Sequence, residues 1–237
     1  MTRSFAATLD DLCGRRKIAN TDLAKAVAAL GGDMTNSYIS HLRKGLRDNP
    51  TLQTIEYLAA ALDVCPAAFV GGRTERLGQE WPRRSFPARL RRLFDKVYPV
   101  SRGPFTPEEV ARAVSERGTY GSISSSYLRE LLNPAPDTLP NPRLKHLLGL
   151  ADHFGLADDN GPQATYFLDD RVAATFDAEL DDFIALREAG VVELVTRVAE
   201  RAPHWSPEMR RQAVSAFTQA VESGETNWVY PAPDGES

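Results

Sequence analysis

Residues 20–62, NTDLAKAVAALGGDMTNSYISHLRKGLRDNPTLQTIEYLAAAL, decide how this chain folds. The apolar positions Leu23, Ala24 and Val27 fall on one face of a first helix, Ile39 and Leu42 on one face of a second, and Leu52, Ile55, Leu58, Ala59 and Leu62 on one face of a third. Three such faces close over a single small core. Gly31 and Gly32 supply the permissive backbone for a tight turn between the first two helices, and the Thr35 hydroxyl caps the second helix. This is the spacing of a helix-turn-helix.

With Ile39 and Leu42 turned inward, the second helix presents Asn36, Ser37, Ser40, His41 and Lys44 outward. In helix-turn-helix proteins the start of that helix enters the major groove, where Asn reads adenine through two hydrogen bonds and Ser or His meets several base edges. Arg43, Lys44, Arg47 and Asn49 come next, where phosphate contacts fix register without reading sequence. Asn36, Ser37 and His41 are therefore the expected base readers, Ser40 beside them a further DNA-binding candidate, and Asn20, Thr35, Arg43, Lys44 and Arg47 the expected phosphate holders. Tyr38 is expected to pack at the helix boundary.

TDLAKAV, SYISHLRKG and NPTLQTIEYLAAAL resemble the phage-repressor or XRE class of helix-turn-helix, in which a Leu-Ala pair opens the scaffold helix and an Asn-Pro step opens the fourth. SYISHLRKGLRDNPT is similar, more narrowly, to the EspR-type nucleoid-associated transcription regulators of actinobacteria. The resemblance implies a DNA-binding regulator with helical dimerisation.

Around this stretch lies a chain of 237 residues, 42% hydrophobic and 25% charged, with room for one to three small domains. No apolar run approaches a membrane span, and the N-terminal MTRSFAATLDDL lacks the apolar core of a signal peptide, so a cytoplasmic (nucleoid) location is expected. Cys13 and Cys65 sit in apolar helical patterns that fit reduced core positions, and four scattered histidines offer no metal-ligand spacing. Neither a cofactor nor a metal is expected. The net charge of −4 is unevenly spread: Lys plus Arg against Asp plus Glu stands at 10 to 9 in residues 1–80, 12 to 11 in 81–170 and 6 to 12 in 171–237. A near-neutral front with local basic clusters is compatible with selective DNA binding and with modest, salt-sensitive non-specific affinity.

Ahead of the opening stretch, Phe5, Leu9 and Leu12 recur at helical spacing, ending in Arg15, Arg16 and Lys17, which suit a helix C-terminus. After it, CPAAFVGG closes the first unit, with Phe69 expected to fold back on the core, and residues 73–85 read as a linker. At Phe86 the pattern starts again. FPARLRRLF echoes FAATLDDLC, VARAV echoes LAKAV, SSSYLREL echoes TNSYISHL, and NPRLKHLLGLADHFGL echoes NPTLQTIEYLAAALDV, an internal repeat with longer loops. Thr106, Pro107 and Glu109 form a capping box with proline at the first turn.

The second copy differs on its reading face. Where the first has Asn36, Ser37, His41, Arg43 and Lys44, it has Ser125, Ser126, Glu130, Leu132 and Asn133. Ser125, Ser126 and Arg129 are its candidate DNA contacts. Arg83, Arg84, Arg89, Arg91 and Arg92 read either as phosphate contacts or as a solvated helix face. FPARLRRLFDKVYPVSRGPFTPEEVARAV and YFLDD are similar to the EspR-type pattern, so one such unit runs from Phe86 to about Gly224.

From Val172 the chain turns to acidic amphipathic helices. Phe176, Leu180, Phe183 and Ile184 form one stripe, Val191, Val195 and Val198 a second, and Met209, Ala213, Phe217, Ala220 and Val221 a third, with Ser206 and Pro207 opening the last. The resemblance implies dimerisation through these helices; packing on the second repeat within one chain is the other reading. The acidic cluster Asp177, Glu179, Asp181 and Asp182 reads as a solvated face rather than a metal site, and no catalytic residues are identified.

The expected architecture is thus all-α: two tandem repressor-like helix-turn-helix domains at 1–72 and 86–170, a linker at 73–85, a C-terminal helical dimerisation domain at 171–226 and a tail at 227–237. The expected function is a sequence-selective, double-stranded DNA-binding transcription regulator, dimeric and able to bridge sites. The alternative is an adaptor whose helix-turn-helix domains bind a sigma factor, toxin or other polypeptide.

Overall fold

The structure, a computed structural model, describes residues 4–78, 80–99, 102–158, 161–162, 164–188, 190, 206, 208 and 212. These are mostly helical, with one short antiparallel hairpin pairing Ala157–Asp158 (β1) with Gly161–Pro162 (β2). The chain divides into two units, Met1–Leu180 and Asp181–Ser237. The candidate site lies in the first.

Helix α1 (Phe5–Arg16) starts at Ser4, whose hydroxyl accepts from the Ala7 N–H at 3.2 Å, and stops where Lys17 turns left-handed at φ 52°. Helices α2 (Asn20–Ala29), α3 (Asn36–Arg43) and α4 (Leu52–Ala61) come next, and a 3₁₀ turn, Pro66–Val70, closes the set. Thr35 and Thr51 cap α3 and α4, accepting from Tyr38 and Thr54 N–H at 3.1 and 3.3 Å. Leu9, Leu23, Val27, Ile39, Leu42, Leu52, Ile55, Leu58 and Leu62 are all fully buried, so the inward faces read from periodicity are the ones that form the core. Each such side chain contributes about 1.5–3 kcal/mol of transfer free energy. Phe69 folds back as expected, stacking on Phe5 with ring centroids 5.0 Å apart. The turn between α2 and α3 needs both its glycines for different reasons: Gly31 has φ +83°, and a Cβ on Gly32 would lie 2.6 Å from Val27 and 3.0 Å from the Tyr57 ring.

The second set repeats this plan. Helices α5 (Pro82–Lys96), α6 (Pro107–Arg117), α7 (Ser125–Leu132) and α8 (Leu144–His153) are succeeded by the short α9 (Thr165–Leu168). As α1 and α2 both pack on α3 and α2 on α4, so α5 and α6 pack on α7 and α6 on α8. Phe86 meets Phe167 at 5.3 Å, in the role of Phe5 against Phe69. The capping box read at Thr106 and Glu109 is present in both directions.

The two sets meet at their Asn-Pro steps. The Leu52 N–H donates to the Pro142 carbonyl and the Leu144 N–H to the Pro50 carbonyl, each at 2.8 Å. The Gln53 N–H donates to Asn141 Oδ1 and the Lys145 N–H to Asn49 Oδ1, each at 2.9 Å. Thr51 and Arg143 form an antiparallel bridge between these pairs. A helix leaves its first N–H groups without intrahelical partners; here the first two of α4 and of α8 are taken up by the opposite set.

Within 73–85, expected to be a linker, Arg73, Glu80, Trp81 and Arg83 are pinned. The Arg73 guanidinium pairs with Glu80 and, at 2.6 Å, with Asp169, both carboxylates being buried. Trp81 packs edge-on against Tyr57 at 6.0 Å, and α5 already begins at Pro82. The long α10 (Asp170–Glu188) starts the acidic region. Leu180 and Ile184 are buried on it, whereas Phe183, expected on the same stripe, is exposed. The stripes expected from Val191 onward, and Trp228 and Tyr230, lie outside the described residues. Among the described residues no helix is long and apolar enough to cross a membrane.

Candidate nucleic-acid interface

Helix α3 is fixed to the rest of its set from below and presents its other side to solvent. Ile39 and Leu42 are buried, Tyr38 packs half-buried against the core, and Asn36, Ser37 and His41 are exposed, with Ser40 partly so. Lys44 and Arg47 are exposed at its C-terminal end. Asn36, Ser37 and His41 are therefore exposed on a capped helix, and Lys44 and Arg47 are exposed where it ends.

Arg43 behaves otherwise than expected. Its Nε and Nη2 donate to Asp10 Oδ1 at 2.9 and 2.7 Å, and Nη1 donates to Asn20 Oδ1 at 2.6 Å. The half-buried guanidinium thus ties α3 to α1 and to the first residue of α2, and holds α3 in place. The same bond occupies the carbonyl of Asn20 and assigns its amide N–H donors to any outside partner. Thr35 likewise spends its oxygen lone pair on the cap, while its hydroxyl hydrogen remains a donor.

On α7, Ser124 caps the helix, accepting from the Tyr127 N–H at 3.2 Å. Ser126, Arg129 and Glu130 are exposed and Ser125 is partly covered. Arg129 is paired with Glu108 of α6, so the cation expected on this face is neutralised within the chain.

The arginine cluster at the start of the second set is mostly neither phosphate ligand nor solvated face. Arg83 donates through its backbone N–H and Nε to Glu56, which is 1% exposed within the apolar stripe of α4. Burial pushes the Glu56 carboxyl above its ordinary value, against the pull of Arg83. Arg89, itself buried, donates to the Phe167 carbonyl at 3.1 Å and to Asp170, and Arg92 pairs with Asp177 at 2.8 Å. Asp177 also accepts from the Tyr166 hydroxyl at 2.9 Å, so it is a packing partner, not a member of a solvated acidic face. These pairings were beyond sequence reasoning; the one available signal was Glu56, a carboxylate in an otherwise apolar helix face that must find a cation.

Cys65, Glu80 and Asp169 bring one ligand atom each to within 4.8 Å of one another, a donor set a metal could use. The Arg73 guanidinium is the cation that already joins the two carboxylates. Burial first, and then Glu80, push the Cys65 thiol up to about 12, and a protonated thiol is a poor ligand. For Asp169, burial opposes ionisation, but Arg73 and the N–H groups of Arg171 and Val172 prevail and hold its pKa below the ordinary value.

The chain is similar to the nucleoid-associated protein EspR of Mycobacterium tuberculosis, with the same figures for strains CDC 1551 / Oshkosh and ATCC 25618 / H37Rv: 36% identity over 130 residues, which is 55% of this chain and 86% of the relative. No family model matches the chain. A match of that identity over nearly the whole of the relative, on a helical chain with this repeated packing, places the protein in the EspR family of nucleoid-associated proteins.

Proposed function

We propose that this protein is a sequence-selective, double-stranded DNA-binding transcription regulator of the nucleoid, built on two repressor-like helix-turn-helix domains at 1–72 and 86–170 and dimeric through its helices beyond residue 171. The observation that carries the reading is the outer face of α3, a helix capped by Thr35 and clamped by Arg43, where Asn36, Ser37 and His41 stand exposed, with Lys44 and Arg47 exposed in the turn that follows it. In this reading α3 enters the major groove. Asn36 pairs with an adenine edge and Ser37, Ser40 and His41 meet neighbouring bases. Lys44 and Arg47 hold phosphates as charges, and the Asn20 amide and Thr35 hydroxyl hold them as directed donors. The family's nucleoid association supports the same partner.

The Arg129–Glu108 pair and exposed Glu130 leave α7 without net positive charge, and this favours a second reading for that face alone, a polypeptide partner. Selection from a random duplex pool with the full chain tests the proposal. One enriched sequence, altered in its preferred bases by His41→Ala, is the expected result. No enrichment at moderate salt would overturn it and direct the search to protein partners.

A further inference from the structure

We infer that one chain reads an inverted pair of half-sites as a single rigid body, with α3 supplying most of the sequence discrimination and α7 supplying phase. This rests on the DNA-binding reading above and goes beyond it, because it concerns how the two repeats are fixed to one another.

The observation is the reciprocity of the bonds at the Asn-Pro steps. The four backbone N–H bonds there form two pairs in which the repeats exchange roles: Leu52 to Pro142 against Leu144 to Pro50, both 2.8 Å, and Gln53 to Asn141 against Lys145 to Asn49, both 2.9 Å. Equivalent residues thus pair across an antiparallel bridge, Thr51 with Arg143. Residue i contacting j while the counterpart of j contacts the counterpart of i is the signature of an isologous, two-fold contact. Here both partners belong to one chain, so the axis is approximate and internal.

An axis at this place also relates the two reading helices. Since α1 and α2 pack on α3 and α2 on α4, as α5 and α6 pack on α7 and α6 on α8, an operation that exchanges α4 with α8 exchanges α3 with α7. A two-fold rotation preserves height along its axis, so both reading helices lie at one level beside it, each leading through a short segment to its residue of the bridge, Thr51 or Arg143. In repressor-type dimers, heads related by a two-fold axis read inverted half-sites one helical turn, about 34–36 Å, or a multiple of it apart.

The unit is also braced against independent motion. The Glu56–Arg83 pair, the Arg73 clamp on Glu80 and Asp169, and the Tyr57–Trp81 contact all tie residues 56–73 to the start and the end of the second repeat. Two heads on a flexible tether would tolerate changes of spacing, whereas these heads cannot slide apart. Unequal information in the two halves arises from the faces themselves: Asn36, Ser37 and His41 offer base-reading groups, while α7 offers serines, a paired Arg129 and a carboxylate.

The test uses the full chain and the duplex it selects. Half-sites are moved apart by about half a helical turn (~5 bp) and by about one turn (~10 bp), and the weaker half is also reversed in orientation. Rigid reading predicts that every one of these changes weakens binding by about 10²-fold, to the level of the strong half-site alone, with no recovery at a full turn. Equal affinity at all spacings, recovery at a full turn, or an enriched motif with no second element would overturn the internal two-fold while leaving DNA recognition standing. No enriched motif at all would sink both.

Discussion

Replacing Asn141 by alanine probes the contact between the repeats at a single atom. Asn141 Oδ1 accepts the N–H of Gln53 at 2.9 Å, and Gln53 is the second residue of α4, where no intrahelical carbonyl is available. The variant leaves that donor without its partner, the same loss as deleting a capping side chain, which costs about 1 kcal/mol. In a unit of this size that corresponds to a fall in Tm of about 2–4 °C. The distinguishing assay is native-state hydrogen exchange, read residue by residue on the full chain. In Asn141→Ala the Gln53 amide, in the opposite repeat, should exchange about fivefold faster or more, while the Lys145 amide, held by Asn49, keeps most of its protection. Asn49→Ala should give the converse pattern. A Tm that falls with no change at Gln53 would refute the reasoning, since it would make Asn141 a local turn residue.

Three further outcomes are expected. Arg73→Met leaves Asp169 and Glu80 as buried carboxylates without their cation, and unfolding in urea should show a loss of about 3–5 kcal/mol; a loss below about 1 kcal/mol would contradict the clamp. His146 and His153 are held below the ordinary imidazole value, chiefly by burial and then by nearby arginines, so the fold prefers both neutral. Their contribution is complete above the unfolded value near about 6.5 and is lost as pH falls through the lowered ones; Tm should therefore drop between pH 7 and 5.5 more steeply than in His146→Leu/His153→Phe, and parallel curves would count against it. Lys44→Ala should weaken binding to all duplexes alike and lower the slope of log K against log salt by about 1, whereas His41→Ala should change which sequence is preferred; the reverse assignment would exchange their roles.

Much of this fold is legible in the chain because it is local. Leu23, Val27, Ile39, Leu42, Leu52, Ile55 and Leu58 declare their faces by spacing, Thr35 and Thr106 declare helix starts, and the echo of NPTLQ in NPRLK declares the repeat. The exposed face of α3 was legible for the same reason. What sequence could not carry is partner choice across distance. Arg43 reads as a phosphate ligand until Asp10 and Asn20 are seen to hold it, and Arg83, Arg89 and Arg92 read as a basic patch until Glu56, Asp170 and Asp177 meet them. A faint signal did exist for the contact between repeats: the N-cap position of α8 is Arg143, a side chain that cannot cap, so the first N–H groups of the helix had to be satisfied from elsewhere.

The most direct test of the central claim is the specificity ratio of the full chain, measured as the affinity for its selected duplex against a shuffled duplex of the same composition at near-physiological salt. A ratio of about 10³ or more is the value expected of a sequence-selective regulator. Equal affinity for the two duplexes would contradict the account, leaving a salt-sensitive nucleoid protein whose α3 reads no bases.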